Sequence, residues 1–421
     1  MSCLSSLLVL LLLFGSVMGC KQYVPAPIDW AQEVGAGERA EVRLTSPEDA
    51  VLLALIGNRE LNRLRLERAN QETVAQESGW WDDPEFAVDL KRIIDPSDHP
   101  FLGGASVVFT IPLSGVPQRE VKLAEAFTAT AQAEVLAAEH ALAVQVRKQL
   151  CEIVALYERI HVLETMDDQA FRQAHEAVQQ LYNAGEVGLS RVAMQQPRHA
   201  RTHALIEARK ALRMAEGTLL QQLGIRPEVT LVVAFTLDAL TPETLPKVEV
   251  ERLIAHPAVK LELARLDAAD AQLQLELRRQ YPDLKIGPVY ANEEGLNRLG
   301  LTAGVTLPLW NRNRKAIAEA EGAREVARLS AIQCWQDLVC EAATVTMAYD
   351  EQQAHVPIAP IDRQAMDGLW ALGELTPMEY LELRETLLEQ TLLELEWQQQ
   401  RALLAAAFTQ FIIQKDPSHV D

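Results

Sequence analysis

Basic charge is in short supply in this 421-residue chain: 39 Lys and Arg stand against 59 Asp and Glu, a formal net charge of −20. Phosphate recognition needs a basic stripe, so nucleic acid is excluded as a partner. Cysteine is scarce as well. Beyond Cys20 the mature region holds only Cys151, Cys334 and Cys340. Cys334 and Cys340 fall ~9 Å apart along a helix at ~1.5 Å per residue, outside disulfide reach. None of the three has metal-site spacing, and all read as small, buried apolar residues. A Gly-rich phosphate loop and a nucleophile elbow are missing too. His140, His161, His175 and His199 lie on helical stretches at spacings that do not converge. No catalytic residue, cofactor or metal site is therefore expected, and the chain does not read as an enzyme. Long apolar runs are absent except at residues 4–19, which are too short to span a bilayer and are placed like a signal-peptide core. Any further membrane contact must come from β-structure or from the periphery.

What the chain does have is an internal repeat. Thr110-Ile-Pro-Leu113 and Thr306-Leu-Pro-Leu309 each close a short alternating stretch and open a long helical one, 196 residues apart. The same landmarks flank both phrases in the same order. Asn58-Arg-Glu-Leu61 pairs with His256-Pro-Ala-Val259, and Pro84-Glu85 with Pro282-Asp283, both at an offset of 198. Tyr182-x-x-Gly185-Glu-Val187 pairs with Trp370-x-x-Gly373-Glu-Leu375 at 188. A period this long marks a duplicated supersecondary unit.

Each half holds two segments with period-two alternation. Phe86, Val88 and Leu90 oppose Glu85, Ala87, Asp89 and Lys91; Ala105, Val107, Phe109 and Ile111 oppose Ser106, Val108 and Thr110. Leu284, Ile286 and Tyr290 oppose Lys285, Gly287 and Val289, and Leu299 to Leu307 alternates with Gly300, Thr302, Gly304 and Thr306. One face is apolar and the other polar or small, as when one meets lipid and the other water. Trp80, Trp81, Phe101, Tyr281 and Trp310 stand at the ends, where an interfacial girdle places aromatics. Pro288, inside the third segment, predicts a bulge. Two soluble hairpins packed on a core would show the same alternation.

The helical stretches weigh against that second reading. From Gln118 to Ala184 there is neither Gly nor Pro, a run of 67 residues, or ~100 Å of helix. Leu142, Val146, Leu150, Ile153, Tyr157 and Ile160 step through it at coiled-coil spacing. A second run covers Met378 to Lys415, and Pro357 and Pro360 predict a break in the second descending helix. Four strands cannot close a barrel, and an open edge in lipid leaves backbone groups unpaired. A membrane role thus demands several copies: two give eight strands, three give twelve.

Taken together, these motifs resemble the outer membrane efflux proteins, the TolC-like channels, across Ser46 to Ile413. Leu307-Pro-Leu-Trp-Asn-Arg-Asn-Arg314, followed by Ile317 and Ala318-Glu-Ala320, is similar to the heavy-metal, CzcC-like branch. The resemblance implies a mainly α protein with a small β part: a tandem-duplicated protomer of four membrane β-strands and long antiparallel coiled-coil helices, assembled as a trimeric α/β barrel. It implies an exit duct in the outer membrane of a Gram-negative-type bacterium. A periplasmic adaptor and an inner-membrane pump of the RND type would be its partners, with divalent metal cations as a candidate substrate. The alternative is a lipid-anchored periplasmic coiled-coil scaffold or adaptor.

Val17-Met-Gly-Cys20 resembles a bacterial lipobox, which implies cleavage before Cys20 and its acylation. The expected order is a signal peptide over 1–19 and a lipid-anchored extension over 20–45. A first repeat follows over 46–224, with strands near 85–92 and 104–112, then a linker over 225–250. The second repeat covers 251–415, with strands near 283–291 and 299–308, before a tail over 416–421. By the resemblance, Gly185, Val187, Gly188, Leu189, Gly373 and Leu375 form periplasmic tips that meet the adaptor. Glu379 and Glu382 would line the lumen beside Trp370, where rings of carboxylates favour cations. Arg191, at a position where the family usually carries Asp, would tie Glu379 or Glu382 in the closed tip.

Overall fold

The structure, a computed structural model, describes residues 23–28, 41–92, 94, 101–186, 188, 196–293, 296–354 and 362–412. The chain divides into two compact units, Met1–Ala40 and Glu41–Asp421. In the first, residues 23–28 are exposed and form neither helix nor strand. All that follows concerns the second. Cys20, Val187, Leu189, Arg191, Pro357 and Pro360 lie outside the described residues.

Four strands form one antiparallel sheet: β2 (Glu85–Arg92), β3 (Phe101–Ile111), β5 (Leu284–Glu293) and β6 (Leu296–Val305), in that spatial order. The register joins the apolar phases of all four. Val88 faces Ala105, Ala105 faces Tyr290, and Tyr290 faces Leu299. Directly opposed residues share a face. Phe86, Val88, Leu90, Phe109, Ile286, Tyr290, Leu299 and Leu301 therefore stand on one side, with Glu85, Ser106, Lys285 and Thr302 on the other. Among the described residues no core covers the apolar side: Leu90 is 81% exposed, Leu299 82% and Leu301 71%. The soluble-hairpin alternative fails on this point.

The bulge expected at Pro288 does not form. β3 and β5 keep one register on both sides of it, Ser106 against Val289 and Phe109 against Ile286, while Pro288 pairs with Leu301 of β6. The cost of the missing N–H is a local gap in the β3–β5 ladder. A Cβ on Gly287 would overlap the Val107 carbonyl, so glycine lets β3 pass close by without an inserted residue.

The helices are α1 (Pro47–Gly57), α2 (Arg59–Gln76), α3 (Val116–Thr165), α4 (Gln169–Asn183), α5 (Gln196–Gln222), α6 (Pro257–Arg278), α7 (Arg314–Gln353), α8 (Arg363–Ala371) and α9 (Pro377–Phe408). Near the sheet, α3 packs between α2 and α6, and α6 between α3 and α7. The row α2–α3–α6–α7 repeats the strand order β2–β3–β5–β6. Farther along, α3 packs on α5 and α9, and α9 also packs on α4, α7 and α8. No described helix is long and apolar enough to cross a membrane.

The repeated helix starts are N-caps. Asn58 Oδ1 accepts from the Leu61 N–H at 2.9 Å, and His256 Nδ1 accepts from the Ala258 N–H at 3.1 Å. Either bond satisfies an orphan donor of the first turn. Val146, Leu150 and Ile153 of the predicted seam are fully buried. They pack against α1, α5 and a parallel ribbon that the sequence did not disclose, β1 (Glu41–Leu44) beside β4 (Thr230–Val233). The segment between the halves is more than a tether. Leu237 is buried against α3 and α9, its N–H donates to Glu158 Oε1 at 3.0 Å, and the Tyr349 hydroxyl donates to the Pro242 carbonyl.

Two helical expectations need correction. The 67-residue run is not one helix; it stops at Thr165 and restarts at Gln169. Neither Gly nor Pro is required, because Asp168 turns extended (ψ −179°) and caps α4 with its own carboxylate. Nor are all three cysteines buried. Cys151 is buried, Cys334 half-buried and Cys340 exposed, because Cys340 lies on the side of α7 turned away from its neighbours.

Candidate functional site

The two Gly-Glu turns have one geometry. Gly185 N–H bonds the Tyr182 carbonyl at 2.9 Å and Glu186 N–H the Leu181 carbonyl at 3.0 Å; Gly373 to Trp370 and Glu374 to Leu369 repeat this at 3.0 Å each. Both glycines are left-handed, at φ +75° and +74°. These are paired Schellman-type helix ends, which close the last carbonyls of α4 and α8. Gly185, Gly188 and Gly373 are exposed, and Leu375 is half-buried against a cluster around Tyr380 and Leu381.

Glu379 and Glu382 both stand exposed on the first turns of α9. Glu379 already has local work. Its Oε2 accepts from the Thr376 N–H at 2.9 Å and the Thr376 hydroxyl at 2.7 Å, completing a capping box. Those bonds hold its carboxyl below the ordinary glutamate range. Trp370 does not stand free: it is half-buried and stacks on Tyr380 at 4.9 Å between ring centroids. The predicted tie through Arg191 falls outside the described residues.

Sequence reasoning missed the strongest cluster in this region. Arg384 of α9 is fully buried. Its Nη2 donates to Asp168 Oδ2 at 2.9 Å and to the Met166 carbonyl at 2.9 Å, and its Nη1 lies 3.5 Å from Asp367 Oδ1. Arg363 Nη2 reaches the same Asp168 oxygen at 2.6 Å, while the Tyr380 hydroxyl donates to Asp367 at 2.7 Å. Asp168 Oδ1 receives the Phe171 N–H at 2.9 Å. Burial pushes the Asp168 carboxyl up, but that bond and the two guanidinium partners leave it below its usual value. Nearby, Arg201 pairs with Glu385 and lies 4.2 Å over the Phe171 ring. Burial raises the Glu385 carboxyl despite that partner. The break between α3 and α4 is thereby clasped to α8 and α9, first half to second. The signal in the sequence was faint: Asp168 and Asp362 cap twin helices, and both open the short helix that leads to a Gly-Glu turn.

An uncovered β-sheet on a row of long helices, doubled within one chain, is the arrangement of the TolC-like fold. No protein-family model matches the chain. It is 24% identical over 298 residues, 68% of its length, to the cobalt-zinc-cadmium resistance protein CzcC of Cupriavidus metallidurans, covering 71% of that protein. Its fold matches a crystal structure of CusC, reported in connection with transmembrane channel formation. The TM-score is 0.67 at 16% identity, over 87% of this chain and 91% of that one. The outer membrane protein VceC of Vibrio cholerae aligns at a TM-score of 0.65 and 16% identity, over 87% and 95%. The chain has the TolC-like fold and resembles outer-membrane efflux channels in sequence and in structure.

Proposed function

We propose that this protein is the outer-membrane exit duct of a tripartite efflux system. It passively conducts what an inner-membrane pump, of the RND type, and a periplasmic adaptor deliver. The observation that carries this reading is the sheet, with its single apolar face exposed and both edges unpaired among the described residues. In lipid, each unpaired backbone group would cost several kcal/mol. Three copies close twelve strands into a barrel, which leaves the Glu85, Ser106, Lys285 and Thr302 face to line water. Cys20, once acylated, anchors the chain beside that barrel.

Similarity to a cobalt-zinc-cadmium resistance protein supports divalent metal cations as the cargo, and the ring positions Glu379 and Glu382 suit cations. Gly185, Val187, Gly188, Leu189, Gly373 and Leu375 meet the adaptor, and Arg191 bridges the acidic ring when the tip is closed. Purified protein in planar bilayers tests the reading. Heat-resistant trimers with discrete conductance are expected, and Arg191→Ala raises the conductance of the closed form. A soluble, non-conducting monomer after removal of the lipid overturns the duct in favour of a periplasmic scaffold. Conductance unchanged in Arg191→Ala removes the bridge alone.

A further inference from the structure

We propose that the turn between β6 and α7 binds the headgroup of an anionic phospholipid in the periplasmic leaflet. The proposal rests on the lipid-facing sheet of the duct and adds a ligand at its rim. The chain carries 59 acidic residues, yet none falls between positions 296 and 318. Arg312, Arg314 and Lys315 crowd into four positions of that gap, and all three are exposed. Among the described residues Arg312 and Arg314 have no ion-pair partner, and Lys315 only approaches Glu319, at 3.8 Å. Cations at the first turn of a helix also oppose its dipole. Charges so placed are suited to an anion from outside the chain.

Apolar surface stands directly beside them. Leu307 is 66% exposed, Leu309 59% and Trp310 85%. Leu307 continues the phase of Leu299 and Leu301, while Thr306 and Pro308 line a cleft with Glu85 and Lys285 of the polar face. An apolar edge that ends in an indole and then in bases fits the boundary between acyl chains and phosphate.

The turn is held in place. Arg312 and Asn313 have positive φ, +46° and +54°, a conformation that a Cβ disfavours. Asn313 compensates: its Nδ2 donates to the Glu276 carbonyl at 2.9 Å and to Glu276 Oε2 at 2.7 Å. The turn is thus pinned to the end of α6, with Trp310 and Arg312 left exposed.

The first half lacks this device. There the left-handed residue is Gly115, at φ +72°. Ser114 before it is buried, and its hydroxyl donates to Asp283 Oδ1 at 3.1 Å. No base occurs from Leu113 to Gln118. One strand exit is tied to its own protein; the other presents bases and an indole to its surroundings.

The test is native mass spectrometry of the purified full-length protein, delipidated in detergent and offered equal amounts of phosphatidylglycerol and phosphatidylcholine. Preferential retention of phosphatidylglycerol, one molecule per copy, is expected. Each base beside a phosphate contributes about fivefold, so Arg312→Gln, Arg314→Gln and Lys315→Gln together should lower the phosphatidylglycerol affinity about 100-fold. Arg312→Gly removes one charge and relieves the left-handed strain, so it folds at least as well and should lose about fivefold. Equal retention of both lipids by the parent overturns the site, as does unchanged affinity in the triple variant. Inorganic phosphate bound as tightly as the lipid assigns the bases to a free anion and rejects the lipid. Heat-resistant, conducting trimers with no lipid preference remove the site and leave the duct standing. A lipid preference in a chain that neither trimerises nor conducts removes the duct alone.

Discussion

The sheet and the clasp around Arg384 treat their side chains in opposite ways. In the sheet, large apolar residues such as Leu90, Leu299 and Leu301 are exposed, and none of the described residues covers them. In the clasp, a guanidinium is fully buried and held by Asp168, Asp367 and the Met166 carbonyl of the same chain. The clasp is complete within one protomer. The sheet is not, and in the duct proposed above lipid and further copies supply the missing neighbours. A membrane solvent inverts which groups are costly to expose, so one chain can be sound at both ends by contrary rules.

The largest expected effect breaks the sheet on one face only. Leu301→Arg puts a charge on the apolar side, at about 2–4 kcal/mol per copy near the membrane midplane. Thr302→Arg, its neighbour on the other face, should assemble normally and lower cation conductance. Trimer yield on unheated gels and bilayer recordings check the pair, and equal yields for both variants would falsify the facial assignment.

The clasp comes next. Asp168→Ala leaves Arg384 buried without its main partner and is expected to cost about 3–5 kcal/mol. Asp168→Asn keeps the α4 cap and should cost less. Urea midpoints, together with protease cutting near Met166, distinguish the two; identical losses would mean that capping alone matters. In the sheet region neither variant should alter strand protection.

A smaller effect depends on pH. His256 caps α6 through Nδ1 and packs edge-on against His140 at 4.8 Å. Burial, with His140 beside it, pulls its pKa down to about 4. Its folded value is therefore below the unfolded one, near 6.5, and the unfolded chain binds the extra proton between them. The stabilisation is fully present above about pH 6.5 and is lost as pH falls toward about 4. His256→Asn, which keeps a cap, should flatten that slope. A melting profile as steep as the parent's would assign the acid sensitivity elsewhere.

The smallest effect belongs to the turns. Nothing lies within 4 Å of a Cβ built on Gly373 or Gly185. Alanine there should cost only the left-handed strain, about 1–2 kcal/mol. Unequal costs at the two sites would show that the twin turns have diverged.

Much of this architecture was legible along the chain because it depends on local rules. Period-two alternation set the two faces of each strand, Asn58 and His256 capped the helices they precede, and Gly185 and Gly373 ended the ones they follow. The break at Asp168 was harder to see. An aspartate in a run free of Gly and Pro reads as an exposed helical residue until Arg363 and Arg384, some two hundred residues later, are seen to bind it. Glu379 illustrates the reverse: its capping box with Thr376 is readable from the Thr-x-x-Glu spacing alone.

By itself, then, the sequence determined the duplication, the strand faces and the helix caps and turns, since each is decided within one or two turns of chain. Only the tertiary structure decided that β1 pairs with β4, that Arg384 is buried, and that α2 and α7 end the row of described helices. Those facts depend on which distant segments meet, and contact between residues far apart in the chain leaves no period in the sequence.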